Sequence, residues 1–65
     1  MKHVKEDTAE LLRTARKRWS EAKRAEYVGY DEKNGHEWII RGQAGDHIAR
    51  GWFGADGDPH FREFK

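Results

Sequence analysis

The chain reads as an α+β domain: one N-terminal helix packed on one face of a three- to four-stranded antiparallel meander sheet, αβββ(β). Three observations predict this. Apolar residues recur at helical spacing before residue 26 and alternate as in strands after it. No Gly or Pro interrupts Thr8 to Ala25, a stretch rich in Ala, Leu, Arg, Lys and Glu. Glycine-containing turns at Asn34-Gly35, Gly42–Gly45 and Gly54–Pro59 then divide the remainder into strands. All 65 residues form one domain, with 1–6 a flexible N-terminus, 7–25 the helix and 26–65 the sheet.

The helix is expected to start at Asp7 as N-cap, with Glu10 as the reciprocal partner of a capping box. Its apolar stripe is thin: Leu11, Leu12, Ala15, Trp19 and Ala22. Such a stripe predicts a close approach to the sheet, led by Trp19 and small residues. A second row of Arg13, Lys17, Ser20 and Arg24, with Arg16 and Lys23 beside it, forms a basic face. A solvated surface is the ordinary reading of such a face, and phosphate binding by Arg13, Arg16, Lys17, Lys23 and Arg24 is the functional one.

Asn34-Gly35 favours a two-residue type I′ hairpin, since both residues tolerate positive φ. That turn pairs Tyr30 with Ile39 and Asp31 with Trp38. One face then carries Tyr27, Gly29, Trp38, Ile40, His47, Ala49, Gly51 and Phe53, and the other Val28, Tyr30, Ile39, Arg41, Ile48, Arg50 and Trp52. The first has small residues between large ones, the relief that seats a helix, and is assigned to the core. The second mixes apolar groups with two arginines and is left open. A short last strand, His60–Phe64, puts Phe61 and Phe64 on opposite faces, one of them in the core.

Composition narrows the function. At 65 residues the chain is near the lower limit for a self-sufficient core, and it has no cysteine for a disulfide or a thiolate metal site. Eight aromatic residues (three Trp, two Tyr and three Phe) supply the burial instead. No apolar run approaches the ~18 residues of a membrane span, and no leader is apparent, so a cytoplasmic protein without membrane contact is expected. The net charge of +1 is unevenly placed: residues 1–26 hold eight Lys/Arg against five acids, and residues 27–65 five against seven. This balance suits neither a histone-like binder nor an acidic DNA mimic.

Motifs for chemistry are lacking, so no enzyme activity, metal or cofactor is expected. The histidines at 3, 36, 47 and 60 have no zinc-pair spacing. Asp56-Gly57-Asp58 reads as a turn, because a calcium loop needs further ligands and a bidentate Glu. Gly42–Gly45 is followed by neither a helix nor Lys-Ser/Thr, so it is no phosphate loop. Ser20, the only serine, lacks the strand-to-helix elbow of a nucleophile.

The expectation that remains is a small binding module, an adaptor or inhibitor, docking on a larger protein or nucleoprotein complex. Phage and mobile-element proteins of this size often act so. Tyr30, Ile39, Arg41, Ile48, Arg50 and Trp52 would carry the contact, since Tyr, Trp and Arg are enriched at interface centres. Direct low-affinity nucleic-acid binding, through the basic helix and sheet aromatics, is the alternative. A homodimer joined through the open face is a third reading.

Overall fold

A computed structural model describes the backbone of residues 4–64 and the side chains of residues 6–64. Helix α1 (Val4–Arg18) is followed by β1 (Ala22–Asp31), β2 (Gly35–Gly42), β3 (His47–Phe53) and β4 (Pro59–Glu63). The strands form one antiparallel sheet in the order β1-β2-β3-β4, and α1 covers one face, chiefly over β1. The predicted architecture is the one observed.

The helix occupies a different stretch from the one expected. It ends at Arg18 rather than 25, and Asp7 lies inside it rather than capping it. Residues 4–6, expected to be flexible, are helical, and 1–3 lie outside the described residues. After the last helical bond, Trp19 N–H to Ala15 O at 2.7 Å, a turn closes with Ala22 N–H on Trp19 O at 3.0 Å. The segment 19–26 has a helical composition, so local propensity loses to tertiary pairing here. As a strand, β1 runs along the full length of β2, from Ala22 opposite Gly42 to Asp31 opposite Gly35. A helix reaching residue 25 would leave the Ile40, Arg41 and Gly42 end of β2 without a ladder on that side. Arg16 secures the reversal, its guanidinium donating to Ala22 O at 3.2 Å and Lys23 O at 3.3 Å.

The first hairpin also departs from expectation. Its loop has three residues, Glu32-Lys33-Asn34, and Asn34 keeps a negative φ, which excludes type I′. Asp31 explains the choice: its Oδ2 accepts the N–H of Lys33 at 3.0 Å and of Asn34 at 3.2 Å. Gly35 (φ 78°) then takes the left-handed position that closes the turn, as Gly45 and Gly57 do in the next two. The register follows the loop. Tyr30 pairs with His36 rather than Ile39, and a bulge at Val28 returns Tyr27 to Trp38.

The loop and the bulges correct four face assignments. Tyr30 stands on the helix side, its ring 5.5 Å from that of His36. Gly29, opposite Glu37, belongs to the outer face. In β3 a further bulge sets Ile48 opposite no residue, between the pairs Ile40–Ala49 and Arg41–His47. His47 therefore lies outside with Arg41, and Ile48, 8 % exposed, joins the core.

The core holds Leu11, Ala15, Ala22, Trp38, Ile40, Ile48 and Ala49, with Trp19, Phe53 and Phe61 packed against it. Trp38 is buried between Tyr27 and Phe53, edge-on at 5.4 and 5.8 Å, and donates its indole N–H to Thr8 Oγ1. Trp19, off the helix end, meets Phe61 edge-on at 5.4 Å. Gly51 permits the close approach of the helix: a Cβ there would stand 2.8 Å from Leu11 Cδ2 and 3.2 Å from the Phe61 ring. Gly51→Ala should therefore destabilise the fold by about 1–3 kcal/mol through overpacking, measured by chemical denaturation. An unchanged midpoint would mean that Leu11 and Phe61 give way freely.

Candidate nucleic-acid interface

The face opposite the helix is defined by register. Outward residues form three rows across the sheet: Gly29–Glu37–Trp52–His60, then Glu26–Ile39–Arg50–Arg62, then Arg24–Arg41–His47. Phe64 completes the third row, its N–H bonded to Ile48 O at 3.0 Å and its ring 5.7 Å from that of His47. This surface carries Arg24, Arg41, Arg50 and Arg62 against Glu26 and Glu37. It is the most cationic surface of the sheet in a chain whose net charge is only +1.

Two of its cross-strand pairs are arginine against arginine: Arg24 opposite Arg41 and Arg50 opposite Arg62. Directly opposed residues hold their Cβ atoms about 4.5–5.5 Å apart, and like charges there repel. The first pair is relieved. Arg41 Nε donates to Glu26 Oε1 at 2.7 Å, and its other arm reaches Gly45 O at 2.9 Å. The second is relieved only loosely, by Glu37 at 3.7 Å from Arg50. Glu37 is itself buried and held by Asn34 Nδ2 at 2.8 Å. Arg62 is exposed and meets no acidic partner among the described residues.

Aromatic rings flank the second pair. Trp52 and His60 lie nearly parallel, 17° apart with centroids at 6.2 Å, and Asp56 Oδ1 holds His60 Nε2 at 3.2 Å. Phe64, 39 % exposed, lies beneath Arg50 at 6.0 Å. Arg50, Arg62, Glu63 and Phe64 line an open recess of about 320 Å³.

The residues singled out in the sequence are thus divided. Arg41, Arg50 and Trp52 stand on the outer face as expected. Ile39 does too, but its side chain is 9 % exposed between Glu26 and Arg50. Tyr30 and Ile48 are elsewhere. The basic helical row is broken up as well. Arg13, Arg16 and Lys17 lie on α1, Lys23 and Arg24 on β1, and Arg16 is engaged by strand carbonyls. The sequence pattern assigns the last strand a core contribution only, and so does not single out His60, Arg62 and Phe64 on this face. Their i, i+2, i+4 spacing was the available signal.

Compared with known protein families, curated proteins and solved structures, the chain matches none. Among the described residues no helix is long and apolar enough to cross a membrane.

Two carboxylates on or beside this face are held below their ordinary pKa. Glu26 is lowered by its hydrogen bond from Arg41, then by the Arg41 charge, with smaller help from Arg24 and His47. Asp56 is lowered by the Asp58 N–H and by His60. A depressed folded-state pKa means stability that is present above the unfolded value and lost as pH falls through the folded one. Glu26→Gln should therefore flatten the acid side of the stability–pH curve below the ordinary glutamate range. Thermal melts across that range test it, and an unchanged slope would show that the Arg41 bond contributes nothing.

Proposed function

We propose that this chain is a small non-catalytic binding module, an adaptor or inhibitor, that docks through its outer sheet face on the polyanionic surface of a larger nucleoprotein complex in the cytoplasm. One observation carries the reading: the Arg50–Arg62 pair, like charges set opposite each other with little compensation. A 65-residue domain has a stability of only about 0.05–0.15 kcal/mol per residue. Folding gains nothing from this repulsion, whereas an anionic ligand bridging both guanidiniums turns it into attraction.

Exchanging arginine for a neutral residue separates folding from docking. Arg62→Gln should leave the melting temperature unchanged or raised, and should lower the salt concentration at which the protein elutes from heparin. The control Arg13→Gln/Lys17→Gln, on the exposed side of α1, should elute closer to wild type. If the helix variant loses retention while Arg62→Gln keeps it, the outer face is not the docking surface.

A further inference from the structure

The outer surface of β3 and β4 alternates rings and cations in step on both strands. Trp52 and His60 form one stacked rung. Arg50 and Arg62 form the next. His47 and Phe64, with rings 5.7 Å apart, close the series. Along β4 and the residue that follows it, the exposed residues His60, Arg62 and Phe64 give ring, cation, ring at every second position.

We propose that this ladder binds single-stranded nucleic acid, with backbone phosphate on the Arg50–Arg62 rung and bases stacked on the flanking rings. The inference rests on the outer face being the docking surface and names what that face touches. A single strand presents the complementary alternation of flat, uncharged rings and anionic links, and proteins that hold it combine a basic track with aromatic platforms. The rings here are accessible in the required sense. The Trp52–His60 stack runs toward β4, the free edge of the sheet, where His60 is exposed and the next ring in the stack can be a base. Phe64 is 39 % exposed beside the recess that Arg50 and Arg62 line. An acidic protein segment would satisfy the arginines but would leave the rings without ring partners. A duplex keeps its bases stacked within itself and offers the rings none.

Fluorescence anisotropy of a labelled oligothymidylate, titrated with the intact chain at low salt, tests the proposal. Binding is expected, with log K falling against log salt by roughly 0.7 for each phosphate held. Arg62→Gln should weaken binding and reduce that slope by about 0.7. Phe64→Ala should weaken it at least about fivefold with the slope unchanged. Circular dichroism of each variant controls for folding, and Phe64 lies beyond the last strand, where truncation leaves the core intact. Preference for the duplex, or insensitivity to Phe64→Ala, overturns the single-strand assignment. Absence of oligothymidylate binding overturns it too. If heparin retention still depends on Arg62 in that case, the docking face stands and its partner is an acidic protein. If that dependence is also gone, both readings fall.

Discussion

The fold depends on the burial of Trp38. Its indole sits on the central strand β2, wedged between Tyr27 and Phe53, with its N–H on the helical Thr8 hydroxyl. A chain of this length without disulfides must bury large area per residue, and a tryptophan is the largest single contribution available. Its polar N–H must also be satisfied, and Thr8 does so from α1, which fixes the helix along the sheet as well as over it. The small residues around it, Ala15, Ala22, Ala49 and Gly51, bring the helix close enough for that bond to form. One face of the sheet is thereby committed to the core, and the opposite face takes whatever parity leaves.

Parity was legible where strands were regular. Trp38, Ile40, Ala49, Gly51 and Phe53 point inward, and Arg41, Arg50 and Trp52 outward, as alternation alone predicts. It failed at the first loop and at the bulges. The three-residue loop moved Tyr30 to the helix side before the extra residue at Val28 restored the expected face of Tyr27, and another extra residue at Ile48 moved that side chain into the core. Bulges follow from tertiary fit and turn geometry, and neither Val28 nor Ile48 carries a composition signal for one. The hairpin error has a more local cause. Asn34-Gly35 is a strong turn signal, but Asp31 three residues before Asn34 offered the backbone competing hydrogen bonds, and the pair of them won.

The helix boundary was illegible for a different reason. Residues 19–26 are good helix formers, and nothing in their order forbids continuation. The deciding partner is β2, whose exposed ladder a long β1 satisfies, and no local window contains that information. Such conflicts between local preference and global pairing weaken the folding funnel, and a fold accommodates them where the alternative leaves more backbone unpaired. Here the cost is carried by β1, an edge strand whose bulges and charged residues also discourage pairing with another chain.

Edge protection is the competing explanation for Arg62, since β4 is the other edge and a charge there also deters pairing. That explanation accounts for a charge at position 62 and not for its sign. A glutamate would protect the edge equally and would also face Arg50 as an opposite charge, which stabilises a cross-strand pair. Arginine forgoes that gain and adds repulsion in its place. The same logic applies to Phe64, an apolar ring left 39 % exposed next to the recess when the core already has Phe61. Neither residue is what folding alone would select, and they lie side by side on one face. Local choices that run against stability mark functional positions. Two such choices meeting at a single surface recess are the reason for proposing the docking surface there rather than on the basic helix, where Arg16 already serves the fold.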